Sequence, residues 1–236
     1  MRMNPQDVDK REVYKNDAVV KSYDRRLYFG RSGGLFYERE VALFREFFPD
    51  TALVFDCPCG TGKLARAMKD HLGLKFIGGD ISPLMVSRSV RTGLYATCSV
   101  VELARTPFAD GQFDVVFVSR FFMLFPTIEE FVQEIRRVLK PGGLLIFDSI
   151  RRSIHNLLNR TIGTAEGWNY PRSTSTILRL FRRFGFECED RRSAFLVSTG
   201  AMNRLPQFAF KALSALEQVM PESLRVMEMY KMRKVG

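Results

Sequence analysis

Histidine is nearly missing from this 236-residue chain, and its cysteines are too few and too scattered to build a metal centre or a disulfide framework. The two histidines, His71 and His155, are far apart in sequence, and of Cys57, Cys59, Cys98 and Cys188 only the first two are close. A C-x-C pair without a second pair is not zinc-ligand spacing, so neither a metal nor a set of structural disulfides is expected. No run approaches the ~18 apolar residues of a membrane-spanning helix. The opening stretch MRMNPQDVDKREVYKND lacks the apolar core of a secretory signal, which makes the cytoplasm the expected location. Internal repeats and low-complexity tracts are also missing.

What is present is the composition of a globular protein, 46% hydrophobic and 26% charged. That excludes disorder, collagen and coiled coil, and the length suits one large α/β domain. The net charge of +10 is uneven, with +2 over residues 1–118 and +8 over residues 119–236. Arginine pairs recur at Arg136–Arg137, Arg151–Arg152, Arg182–Arg183 and Arg191–Arg192. Such an excess attracts an anionic substrate or nucleic acid, or simply solvates helix faces, since no run forms a like-charge block.

The first fifty residues read as amphipathic helix with a break at Gly30 to Gly34, and a second helix from Leu35 is stopped by Pro49. Beyond it, short apolar runs alternate with helical periods, the signature of βαβ units and a parallel sheet. Strands are expected at 52–56, 75–79, 96–101, 113–119 and 143–149, with helices near 62–71, 83–92 and 127–139. LKPGG (139–143) supplies the Pro and Gly that stop the last of these helices. A helix near 173–184, an alternating run at 186–197, a helix near 206–218 and a final strand follow, the last two strands completing the sheet in antiparallel fashion. Residues 150–190 are the least regular and are read as a lid over the carboxyl edge. The expected organisation is a helical arm or cap over 1–48 and one catalytic domain over 49–236.

The informative stretch is VFDCPCGTGKLARAM (54–68). A strand delivers Asp56 to its carboxyl end, Gly60 and Gly62 make a tight turn free of obstructing Cβ atoms, and a helix opens near Lys63 with its N–H groups exposed. Gly60-x-Gly62-x-x-Ala65, followed by Asp80, satisfies a dinucleotide fingerprint. Asp56 argues against that ligand, because it would oppose a pyrophosphate at short range. A ligand with an ammonium and a sulfonium would welcome it. Asp56, Asp80 and Glu102 stand at three successive strand ends, along the edge where open α/β sheets bind ligands.

In this order the motifs resemble those of class I S-adenosylmethionine-dependent methyltransferases of the small-molecule group. Val54 to Gly62 is similar to the first motif, hhDhGCGTG, and Asp80 in FIGGDISPLMVSRS to the acid ending strand two. ARTPFADGQFDVVF and LKPGGLLIFDS resemble the segments around strands four and five. The resemblance covers residues 50–150. It implies a Rossmann-like, mostly parallel seven-stranded sheet with helices on both faces, and adenosylmethionine as cofactor. It also implies roles: Asp56 for the methionine ammonium, Gly60 and Gly62 for close backbone approach, and Asp80 for the ribose hydroxyls. Ile81 and Met85 would pack near the adenine, and Glu102 and Leu103 would meet its amine side. Ser119 would lie near the sulfonium, with Arg120 and Phe121 facing substrate, and Cys57 and Arg120 are counted with the cofactor-side residues. In the arm, Tyr23, Arg31 and Tyr37 are candidates for the cofactor carboxylate or the substrate. The departure is Pro58, often Gly in the family, which removes one donor from the turn.

Blander readings accompany these. Asp80 could cap the helix after Ser82-Pro83, Glu102 could be a surface acid, Met85 core filler, and the arm's aromatics helix packing. Methyl transfer from a sulfonium is an in-line displacement that needs orientation and desolvation, and a base only where the acceptor must lose a proton. His155 and Tyr170, in the expected lid, are the candidate catalytic groups. The Phe- and Leu-rich C-terminal part suits a small or lipid-like acceptor. The alternatives are an RNA methyltransferase, favoured by the basic half but not by Val118-Ser119-Arg120-Phe121 where an NPPY-type tetrapeptide would stand, and a non-catalytic adenosylmethionine-binding module.

Overall fold

Three central strands, β1 (Ala52–Asp56), β4 (Phe113–Val118) and β5 (Leu139–Ile150), are apolar on both faces, as strands covered by helices on both sides must be. The computed structural model describes residues 10–14, 16–28, 32–68, 73–152, 169–197 and 205–236. Its sheet has seven strands in the order β3-β2-β1-β4-β5-β7-β6, with β2 at Leu74–Asp80, β3 at Tyr95–Val100, β6 at Phe186–Ala194 and β7 at Met227–Lys234. β1 to β5 are parallel, and β7 enters antiparallel between β5 and β6. This is the mostly parallel Rossmann-like architecture expected from the motifs. Among the described residues no helix is long and apolar enough to cross a membrane.

Alternation along the strands divides the core. Val54, Val115, Phe117, Ile146 and Met229 face one side, where Phe36 and Phe44 of the arm pack. Phe55, Val116, Val118, Phe147 and Tyr230 face the other, against Phe131, Ile135 and Phe181. The helices doing this packing carry their apolar residues at helical spacing. They are α3 (Gly33–Arg45) with Phe36 and Phe44, α6 (Glu129–Val138) with Phe131, Ile135 and Val138, and α7 (Thr174–Arg183) with Ile177 and Phe181. The short α4 (Lys63–Ala67) and α5 (Pro83–Val90) follow β1 and β2.

The arm opens with α1 (Lys10–Val13) and α2 (Asp17–Tyr28). The α2 helix is tied to the domain where Arg88 donates to the Val20 carbonyl at 2.7 Å and Thr61 donates to Asp24 at 2.8 Å. Two boundaries differ from expectation. α3 begins at Gly33, inside the expected glycine break, and Ser32 Oγ anchors that end on the Leu205 carbonyl at 2.8 Å. LKPGG is not a free loop. Leu139 already pairs with Phe113, and the register jumps to Val115–Leu144, so the intervening residues form a bulge with Gly142 at φ 73°. The C-terminal helix α8 (Gln207–Val219) then leads to β7. Of the expected lid over 150–190, residues 153–168 lie outside the described residues, while those from 174 onward build α7 and the first part of β6.

Candidate functional site

A cleft of about 740 Å³, mouth included, opens at the carboxyl ends of β1 to β4. Its lining is chemically mixed: Pro58, Gly60, Asp80 and Glu102 belong to it, as do Leu124, the mutually packed rings of Phe121, Phe125 and Phe131, and Tyr14 and Tyr23 of the arm. The two tyrosine rings meet edge to face at 6.0 Å. The location is the ligand crevice of an open α/β sheet.

The loop after β1 is built around Asp80. Its carboxylate is 4% exposed, with Oδ2 accepting from the Gly60 N–H at 2.9 Å and Oδ1 from the Ser82 N–H at 2.8 Å. Burial pushes it up to about 6, against the pull of those two backbone donors. Asp80 is therefore not the cap of α5; Ser82 is, accepting from the Met85 N–H at 3.3 Å. Gly60 has φ 55°, and a Cβ there would project into open space. Gly62 has φ 74° and starts α4, but it does not line the cleft: a Cβ there would crowd Tyr95 and Ser89. Pro58 lines the cleft, and the turn still holds through the Cys59 N–H to the Gly79 carbonyl at 2.8 Å.

Asp56 departs from its expected place. Its Oδ2 accepts from the Tyr95 hydroxyl at 2.6 Å, it is buried, and it is not among the cleft residues. Burial, with repulsion from Asp80 added, pushes it up to about 7 even though the Tyr95 bond pulls it down. It shares a strand face with Val54, while Cys57 shares the other with Phe55. Cys57 lines the cleft as a buried thiol that burial pushes well above the ordinary range. That suits packing, not nucleophilic work.

Ile81, Met85, Glu102, Leu103, Ser119 and Arg120 all line the cleft, as does Tyr23. Arg120 has φ 55°, an uncommon conformation for a side chain of its size. It is held there from two directions. Its backbone N–H donates to Asp148 Oδ1 at 2.6 Å, and its guanidinium grips the fully buried Glu40 of α3 at 2.5 and 3.3 Å. Burial first and the Glu40 charge second push Asp148 up to about 7. Glu40 and Asp148 escaped the sequence reading. Glu40 left a trace, because it sits with Phe36 and Phe44 on the buried stripe of α3. Its pairing with Arg120, eighty residues away, did not.

The remaining candidates fall elsewhere. Tyr37 stays outside the cleft, donating to the Lys63 carbonyl at 2.7 Å under the Lys63 ammonium, and burial pushes its phenol up to about 12. Tyr170 is not a cleft residue either; its backbone N–H donates to the Met123 carbonyl at 2.7 Å, bracing the turn that carries Leu124. Arg31 and His155 lie outside the described residues. Among the described residues, no group of three or more His, Cys, Asp or Glu could hold a metal ion.

The cleft fits a nucleoside with an amino-acid tail. Asp80 has about four acceptor sites and uses two of them on backbone N–H groups, which leaves capacity for hydroxyl donors. Open space lies beside Gly60, and Ser119 Oγ is a buried hydroxyl at the cleft that meets no hydrogen-bond partner among the described residues. Ile81, Met85 and Leu103 offer flat apolar walls.

Comparison with known proteins agrees. A family model described as a methyltransferase domain matches residues 55–147. Over 187 residues the chain is 29% identical to an uncharacterized methyltransferase, YodH, of Bacillus subtilis, covering 74% of this chain and 72% of that protein. Over 98 residues it is 34% identical to a demethylmenaquinone methyltransferase of Thermus thermophilus, covering 39% of this chain and 44% of the relative. The chain spans less than half the length of several of the curated relatives it matches. In fold it is similar to a solved methyltransferase of Thermotoga maritima, described as a possible histamine N-methyltransferase, with a TM-score of 0.69 at 16% identity over 94% of this chain and 99% of that one. The parallel run of β1 to β5, the glycine loop hung on the acid of the second strand, and the family model make residues 55–147 similar to the domain of class I S-adenosylmethionine-dependent methyltransferases.

Proposed function

We propose that the chain transfers a methyl group from S-adenosylmethionine to a small, largely apolar organic acceptor. The observation that carries this reading is the mixed lining of the cleft, which joins Asp80, Gly60 and Glu102 to Leu124 and the packed rings of Phe121, Phe125 and Phe131. When bound, the cofactor supplies an electrophilic methyl on a sulfonium, a leaving group that needs no further activation.

The chain's own residues then have three tasks. Asp80 accepts the ribose hydroxyls and, through the Gly60 N–H, holds the loop that the cofactor lies on. The phenylalanines exclude water and orient the acceptor, which is where an in-line displacement gains most of its rate. Arg120, clamped by Glu40 and Asp148, sets the shape of the strand end where the two ligands meet. An apolar acceptor also accords with the name of the Thermus relative, which methylates demethylmenaquinone.

The test is transfer of labelled methyl from adenosylmethionine to a panel holding quinones, sterols, small amines and transfer RNA. Label in an apolar ring compound supports the reading. Label confined to RNA, or none in any acceptor despite cofactor binding, contradicts it.

A further inference from the structure

Cys59 and Cys98 bring their sulfurs to 3.7 Å across the gap between the loop after β1 and the strand β3. We propose that this dithiol is an oxidation site: a hydroperoxide converts it to a disulfide, and closing that bond draws the loop off Asp80. The bond itself is independent of the methyltransferase reading; only its effect on cofactor binding rests on it.

The two thiols differ in the way the chemistry requires. Cys98 is half-buried on β3, the edge strand of the sheet, whereas Cys59 is buried. The hydrogen bond from the Cys59 thiol holds Cys98 below the ordinary thiol range, against its own burial and the neighbouring Asp56 and Asp80 charges. Cys98 is thus the more accessible sulfur and the better source of thiolate. Attack of that thiolate on the peroxide breaks the O–O bond, forms a sulfenic acid and, with one proton, releases an alcohol or water. The Cys59 thiol then attacks the sulfenic sulfur, the S–S bond forms and water leaves. Two thiols have lost two electrons and two protons, and the peroxide has taken them up.

Geometry decides what must move. A disulfide holds its sulfurs about 2.05 Å apart, so the gap has to shrink from 3.7 Å. β3 has little freedom, since Cys98 is paired with Gly78 of β2 and its sulfur already lies where a Gly78 Cβ would come within 2.8 Å. Cys59 belongs to a turn outside any strand ladder, held by its N–H on the Gly79 carbonyl at 2.8 Å, by the Gly62 N–H on its own carbonyl at 2.9 Å and by its thiol on the Ser89 hydroxyl at 3.5 Å. The displacement therefore falls on the turn. Gly60, the next residue, donates to Asp80 and accepts from the Ser89 hydroxyl at 2.8 Å. Pulling Cys59 toward β3 strains both contacts.

The experiment uses the full chain carrying Cys188→Ser, which removes the exposed thiol, with hydrogen peroxide as oxidant. Peptide mass spectrometry without reductant is expected to show Cys59 linked to Cys98, and amide hydrogen exchange over residues 57–62 is expected to accelerate and to recover on adding dithiothreitol. Adenosylhomocysteine affinity is expected to fall roughly tenfold, the worth of one charge-assisted hydrogen bond. A Cys98→Ser chain, treated identically, should keep its exchange pattern and its affinity. Absence of the linked peptide overturns the proposal, as does a linked peptide with unchanged exchange, or equal loss in the Cys98→Ser chain. Reduced protein that binds no adenosylhomocysteine contradicts the methyltransferase reading alone, because the linkage and the exchange are read without it.

Discussion

The Tyr95 hydroxyl donates to Asp56 Oδ2 at 2.6 Å, and that bond accompanies a first-strand carboxylate that does not line the cleft. The acid that the cleft does present at this point is Asp80. A cleft-lining carboxylate and one behind the lining are therefore neighbours, and substitutions should separate them.

Tyr95→Phe removes the hydroxyl that donates to Asp56 and should destabilise the fold by roughly 1–3 kcal/mol while leaving adenosylhomocysteine affinity within about twofold. The loss depends on pH. The Tyr95 bond favours ionised Asp56, whose carboxyl titrates at about 7, so the loss is greater at pH 8 than at pH 6. Denaturant unfolding at the two pH values checks this; equal losses contradict the assignment.

Asp80→Asn keeps the shape and discards the charge, and should weaken adenosylhomocysteine binding by roughly 1–3 kcal/mol. In the unsubstituted chain, affinity should fall as pH drops through about 6, where Asp80 gains a proton, and the variant should lack that inflection. Calorimetric titration from pH 5 to 8 decides it.

Glu40→Gln leaves Arg120 buried without its counter-charge, a change that costs about 3–5 kcal/mol in comparable pairs. Asp148 is poised to compensate. Glu40 raises its pKa, so removing that charge lets Asp148 ionise more readily beside Arg120. The destabilisation should be smaller at pH 8 than at pH 6, and a loss that grows with pH contradicts the coupling.

Asp148→Asn tests the same triad from the other side. Because burial raises the folded-state pKa of Asp148 to about 7, its neutral form contributes stability that is complete below the ordinary carboxylate range and lost as pH rises through 7. The variant should remove that slope, so its stability relative to the parent rises between pH 5.5 and 8. A pH-independent difference contradicts the assignment.

The central strands were legible because periodicity reports burial directly: Val115 to Val118 can only be a strand covered on both faces. That Gly60, Asp80, Met85 and Ser119 lie at one cleft was legible because residues that follow strand ends gather at the carboxyl edge of an open α/β sheet. The place of Asp56 behind the cleft lining was not legible, for a physical reason. VFD is apolar up to its last residue, so the sequence does not reveal which face Asp56 shares, and parity with Val54 sends it away from the cleft. The Glu40–Arg120 pair joins residues eighty positions apart, a distance over which local patterning carries no information. LKPGG contains the residues of a loop, yet Leu139 is already in register with Phe113 before the glycines bend the chain.

The most direct test of the account is calorimetric titration of the reduced chain at pH 7.5 with adenosylhomocysteine and, separately, with NAD. The account predicts one saturable site for adenosylhomocysteine and no heat from NAD. Saturable binding of NAD, or none of adenosylhomocysteine, would contradict it.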